Sequence, residues 1–358
     1  MDTASAPEAF ARRLGLAHAL VQAPMAGSQD GALAAAVTRA GALGSLPAAL
    51  LAPQALCDEA GAVRAAAVGP LNLNFFAHRT PAPDAAREAD WRAALRPYYE
   101  ELGVDPAAIP EGPGRLPFDA TACEIVEALR PEVVSFHFGL PDAGLLARVK
   151  GTGAQVWSTA TTVAEARALA ARGVDAVIAQ GAEAGGHRGM FLDEDITTQL
   201  GTFALLPQVV AAVDVPVIAA GGIADARGVA AAVALGASAV QVGTAFLLCP
   251  EATTSAVHRA ALKSPAVSHT ALTNLISGRP ARGIVNRLMR ELGPMSVLPP
   301  AFPGATNAIA PLRAAAEKRG SGDFSPLWAG QNASGCTEAP AAEVIAALAQ
   351  GFGVRSPT

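Results

Sequence analysis

At 358 residues the chain is long enough for one large domain or two average ones. Its residues are 51% hydrophobic but only 5% aromatic, which favours an α/β core of alanine, valine and leucine. The net charge of −5 comes without blocks of like charge and argues against a nucleic-acid partner.

No apolar run reaches the ~18 residues that cross a bilayer. Met1 to Leu16 carries Asp2, Glu8, Arg12 and Arg13 and lacks the apolar centre of a secretion signal, so a cytoplasmic protein is expected.

Short apolar runs alternate with alanine-rich helical stretches. The first candidate strand, Leu20 to Ala23, ends at Pro24 and Met25, where proline stops strand pairing. Met25 is either core or the lining of a flat ring system. The second and third candidates are Ala42 to Leu46 and Leu71 to Asn74. Asn74 offers an amide suited to a heteroatom edge, or else caps a turn. About 76–130 is too long for a simple connection; seven prolines and the aromatics Trp91, Tyr98 and Tyr99 mark it as an insertion with helices. The fourth strand, Val133 to His137, ends in a histidine that either faces substrate or sits in the core bonded to backbone. The fifth and sixth are Gln155 to Ser158 and Ala176 to Ala179.

The most informative stretch follows the sixth strand: Gln180-Gly181-Ala182-Glu183-Ala184-Gly185-Gly186-His187-Arg188-Gly189. Its glycines allow close backbone approach. His187 is a candidate catalytic group at a strand's carboxyl end, against the plainer reading of a turn residue. Gln180 is a second candidate amide. The seventh strand, Val217 to Ala220, runs into Gly221-Gly222, and the eighth, Ala239 to Val242, into Gly243-Thr244. In a (β/α)₈ barrel the loops after strands seven and eight commonly bind phosphate, here through backbone N–H groups of Gly222, Gly243 and Thr244.

Eight strands in βα alternation predict an α/β protein, a (β/α)₈ TIM barrel over about 15–252, with a smaller, mainly helical C-terminal portion over 253–358 packed on it. No glycine-rich dinucleotide fingerprint follows the first strand. Cys57, Cys123, Cys249 and Cys336 are scattered, with no metal-ligand spacing, so no metal is expected.

Together these segments resemble the nitronate monooxygenase family, once called 2-nitropropane dioxygenases, over about residues 15 to 335. The likeness runs through Gln22-Ala23-Pro24-Met25, Asn74-Phe75-Phe76, Ser135-Phe136-His137-Phe138-Gly139, the Gln180–His187 loop, Ala220-Gly221-Gly222-Ile223 and Gln241-Val242-Gly243-Thr244. It continues through Ser277 to Gly283 and Leu327 to Gln331, and the Phe-His-Phe-Gly segment and tail favour class I. The resemblance implies FMN as cofactor, contacting Met25, Asn74, Gln180, Gly185, Gly222 and the segment Gln241, Val242, Gly243 and Thr244. His187 would be the catalytic histidine. It further implies oxidation of a small alkyl nitronate, such as propionate 3-nitronate, by O₂ to a carbonyl compound and nitrite, in a monomer or homodimer. The sequence departs from the family at Phe302, where a tyrosine is expected. The alternative is an NAD(P)H-dependent quinone or enoyl-thioester reductase on the same barrel; a non-catalytic barrel sensing a phosphorylated ligand is a third reading. Arg279, Arg282 and Trp328 need partners, so the tail is expected to fold back over the barrel mouth.

Overall fold

The computed structural model describes residues 4–109 and 114–353; Pro110 and Pro113 of the expected insertion, residues 1–3, and the last five residues of the expected C-terminal portion lie outside the described residues. Among the described residues eleven strands occur in chain order. They are β1 (Leu20–Gln22), β2 (Gly44–Pro47), β3 (Leu71–Phe76), β4 (Val133–His137), β5 (Gln155–Ala160), β6 (Ala176–Gln180), β7 (Gly186–His187), β8 (Val217–Ala220), β9 (Ala239–Val242), β10 (Thr270–Thr273) and β11 (Ala281–Ile284). Eight of them pair in parallel in the order β1-β9-β8-β6-β5-β4-β3-β2. Leu43 N–H donates to Leu20 O at 2.9 Å and Gln22 N–H donates to Leu43 O at 3.0 Å, which joins β2 back to β1. The sheet is thus the expected (β/α)₈ barrel. All eight candidate strands are present; β3 runs two residues further than read, to Phe76, because its aromatic end is also buried.

Both faces of the sheet are covered, as parallel strands require. Inside, Val21, Leu43, Val133, Trp157, Ile178 and Ile218 fill the barrel, and the helix Ala6–Leu14 stoppers its amino end. Phe10 of that helix meets Trp157 at a ring distance of 5.6 Å, while Arg13 bonds Gln155 and the Asp175 carbonyl, at the starts of β5 and β6. Outside, the helices lay alanine and valine on the strands. Their starts are set by aspartate and threonine caps: Asp30, Asp119, Asp142, Thr162 and Asp225 each accept a first-turn N–H.

Two additions complete the chain. The helix Ala85–Leu102 carries Trp91, Leu95, Tyr98 and Tyr99 and packs against the tail helix Ala305–Lys318 through Ala305, Ala308, Ile309 and Leu312. Two polar tips of this aromatic face find carbonyls: Tyr99 Oη donates to Ala308 O at 2.7 Å and Trp91 Nε1 to Ala305 O at 3.4 Å. The tail also holds a hairpin, β10–β11, not marked in the sequence. It pairs through β11 with β7, so that Ala281 faces His187 and Arg282 faces Gly186. The tail therefore lies over the barrel mouth. Its arginines have partners: Arg282 donates to Ala182 O at 2.8 Å, and Arg279 pairs with Glu194 at 2.8 Å.

Deleting everything after Pro299 would strip the cover from Trp91, Leu95 and Tyr99, each at most 1% exposed. Re-exposing three such side chains costs about 1.5–3 kcal/mol apiece, a large part of a typical stability of about 5–15 kcal/mol. The truncated chain is expected to lose cooperative unfolding in urea. A sigmoidal transition at the full-length midpoint would refute the dependence on the tail.

Candidate active site

The carboxyl ends of the barrel strands open into one pocket. Met25, Asn74, His137, Gln180, Gly185, His187, Gly222, Gln241, Val242, Gly243 and Thr244, every site residue read from the sequence, line it. They divide into a backbone cradle on one side and an aromatic wall on the other, with His187 between them.

The cradle lies past β8 and β9. Gly221 and Gly222 turn with φ of 113° and 75°, values that a side chain rarely adopts. After Gly243 the chain enters a short 3₁₀ turn, Thr244–Phe246, whose first N–H groups point out unpaired. The N–H groups of Gly222, Gly243 and Thr244 donate to no group among the described residues. The tail closes this side. Gly330 N–H donates to Thr244 Oγ1 at 2.9 Å, and a Cβ at Gly185 would lie 2.6 Å from Ala329 and Gly330 backbone. Gln241 keeps a buried Oε1 with no partner among the described residues.

On the other wall Phe76, Phe138 and Phe302 pack together at the ends of β3 and β4. Phe302 stands 5.4 Å from the His187 ring and brings no hydroxyl to it.

His187 belongs to the short strand β7, not to a free loop. Its Nε2 is 2.8 Å from Ser277 Oγ, and Ser277 in turn reaches the Arg279 carbonyl at 3.5 Å. A carbonyl only accepts, so we assign the hydroxyl proton to that bond and the imidazole proton to Nε2. Nδ1 is left with a lone pair and no partner among the described residues. Burial lowers the His187 pKa well below 6.5, and the charges of Arg115 and Arg279 lower it further. The ring is a neutral base at pH 7.

His137 and Gln180 are occupied within the chain. His137 Nε2 donates to His187 O at 3.1 Å, so its Nδ1 must accept from Thr159 Oγ1, also at 3.1 Å. Burial holds the His137 pKa down at about 4, keeping it neutral. Gln180 lines the pocket with its amide bonded to the chain: Nε2 donates to His187 O at 2.9 Å and Oε1 accepts from Gly189 N–H at 2.9 Å. Asn74 donates to Ser135 Oγ at 2.9 Å, and its Oδ1 has no partner among the described residues.

Two arginines escaped sequence reading. Arg115 lines the pocket from the insertion. Arg188, 1% exposed, fixes the residue next to His187 with a three-way fork. It donates to Gly181 O and Gln180 O, each at 2.7 Å, and to Gln199 Oε1 at 2.9 Å. The only signal was its place beside the histidine, since a buried arginine looks like any other in a sequence. Lysine has no planar fork and cannot make these bonds together. Arg188→Lys is expected to lose about 2–4 kcal/mol of stability and, by shifting His187, ~10²-fold in turnover. Urea unfolding and initial rates check this; wild-type values in both would mean the fork is dispensable.

The sequence model described as "Nitronate monooxygenase" matches residues 9–351. A nitronate monooxygenase of Pseudomonas aeruginosa is 44% identical over 289 residues, covering 78% of this chain and 81% of the relative. One from Paraburkholderia phytofirmans is 42% identical, covering 78% and 77%. Among solved structures, the nitroalkane oxidase of Streptomyces ansochromogenes superposes with a TM-score of 0.87 at 39% identity, over 94% of this chain and 96% of that one. FabK of Thermotoga maritima gives 0.70 at 25% identity, over 96% of each. With a barrel, a tail and a pocket of this construction, and a match running nearly end to end, the chain belongs to the nitronate monooxygenase family, a family of oxidoreductases.

Proposed function

We propose that the chain is an FMN-dependent nitronate monooxygenase that oxidises small alkyl nitronates with O₂ to a carbonyl compound and nitrite, in the cytoplasm. The observation that carries this reading is the meeting, in one pocket, of a neutral, partly unpaired histidine with an uncharged N–H cradle. The cradle suits a phosphate, and the buried Gln241 Oε1 suits an N–H of a flat heteroaromatic ring. FMN fits both, with Met25 and Asn74 at the ring and Gly185, Gly222 and Gln241 to Thr244 around its edge and phosphate. When bound, FMN supplies electron acceptance from the substrate carbanion and the reaction with oxygen.

The protein's own contribution is position and proton handling. A neutral nitroalkane would place its α-carbon at His187 Nδ1, which takes the proton and leaves an anionic nitronate beside the new imidazolium. Ser277 and β11 hold the ring while this happens, and His137 and Gln180 hold its backbone. A nitronate supplied ready-made skips the proton transfer.

His187→Asn is expected to keep FMN, because backbone forms the cradle. Its kcat/KM for a neutral nitroalkane should fall by ~10²–10⁴-fold, and clearly less for the preformed nitronate. In the wild type, the active form is the deprotonated ring and its pKa is lowered, so the acid limb of kcat/KM for a neutral nitroalkane should lie well below pH 6.5. Equal losses on both substrates would assign His187 to binding, and no loss would remove it from the mechanism. Rapid anaerobic bleaching of the flavin by NADH, without nitronate turnover, would favour the reductase instead.

A further inference from the structure

Between Ala77 and Arg130 a single described residue, Arg115, reaches the pocket lining. Its side chain makes no hydrogen bond or ion pair among the described residues, and its Nε is buried without a partner. The other cations near His187 are satisfied. Arg279 pairs with Glu194 at 2.8 Å and lies 4.5 Å over the Phe138 ring, and Arg188 is bound to carbonyls and an amide oxygen. Burial lowers the Arg115 pKa to about 10, and the charge acting on it is another cation, Arg313. It is still protonated at neutral pH. A half-buried guanidinium with no acid beside it among the described residues is costly, and such groups persist where a ligand supplies the missing charge.

Geometry says which charge. The backbone cradle lies past β8 and β9, while Arg115 lies on the aromatic wall past β3 and β4. Its guanidinium carbon is 6.0 Å from the Phe302 ring centre, and the His187 ring is 5.4 Å from the same centre. Arg115 is also held: His78 Nε2 donates to its carbonyl at 3.2 Å, and His78 itself stands edge-on to Phe302 at 4.8 Å. A short molecule whose nitro-bearing carbon faces His187 therefore turns its far end to the guanidinium. We infer that Arg115 is a specificity-determining residue that receives a carboxylate carried by the substrate a short carbon chain away from its nitro group. The planar fork of arginine matches a carboxylate with two parallel bonds. The inference rests on the proposed nitronate oxidation and adds to it the residue that selects among nitronates.

The test compares propionate 3-nitronate with propyl 1-nitronate, which carries a methyl in place of the carboxylate. In Arg115→Met, isolated with FMN bound, kcat/KM for the carboxylate substrate should drop about 10–100-fold, mostly through KM. For propyl 1-nitronate it should drop much less, and Arg115→Lys should recover part of the loss. A measurement on the wild type does not depend on how the variants fold: propionate should inhibit competitively and propionamide should not. Equal losses on both nitronates, or equal inhibition by propionate and propionamide, would overturn the role of Arg115. A wild-type protein that turns over neither nitronate would sink the functional reading itself, and this inference with it.

Discussion

Everything at the pocket depends on how two residues of backbone, Gly186 and His187, are gripped. They form β7, a strand too short to hold itself. On one side the tail strand β11 pairs with it. On the other, Gln180 and His137 both donate to the His187 carbonyl, at 2.9 and 3.1 Å. Below, the Arg188 fork binds the carbonyls of Gln180 and Gly181. The last residues of β6 are thus tied to β7 by side chains, where a loop of glycines alone would wander. The proposed role of His187 needs this because small misplacements of a reacting group are costly.

The same grip sets the charge. Packing the ring away from water between Phe302 at 5.4 Å and Trp328 at 5.7 Å favours its uncharged form. The cations Arg115 and Arg279 push in the same direction. A base that is neutral when empty becomes a cation once it has taken a proton, and in this pocket it would do so next to an anion it has just made. The surroundings therefore disfavour the imidazolium until substrate brings negative charge, which links proton transfer to an occupied site.

How much of this was legible in the sequence follows from the range of each interaction. Strands such as Val133–His137 and Val217–Ala220 announce themselves because burial on both faces forces continuous apolar runs. The cradle was legible because a φ of 75°, as at Gly222, is one that glycine adopts readily and other residues rarely. What stayed hidden is long-range or directional. The pairing of β7 with β11 joins residues almost a hundred positions apart, and β11 itself, Ala-Arg-Gly-Ile, has no period to mark it. Gln180 was found, but its amide serves the backbone of His187, and the direction of a side chain is not written in its neighbours. Arg115 sits near the end of a proline-rich stretch that gives no hint of reaching the pocket, because its place is set by His78 and Phe302, themselves from different segments.

The pocket is built from two sources, and they differ in what they control. The cradle comes from barrel strand ends, β8 and β9. The wall facing His187 draws on the additions: Arg115 from the insertion, Phe302, Trp328 and Ser277 from the tail. These two additions also lock to each other, since Tyr99 of the insertion helix donates to Ala308 of the tail helix at 2.7 Å. A change in the insertion therefore alters the chemistry offered to a substrate without touching the cradle, whereas the tail, bonded to Thr244 and Gly222, bears on both. Substrate choice then rests largely on the additions, and Phe302, which sets a ring without a hydroxyl 5.4 Å from the His187 ring, is one such position. Phe302 brings no hydroxyl and Ser277 is bonded to His187, so the guanidinium of Arg115, without a partner among the described residues, is the polar group placed to meet an anion.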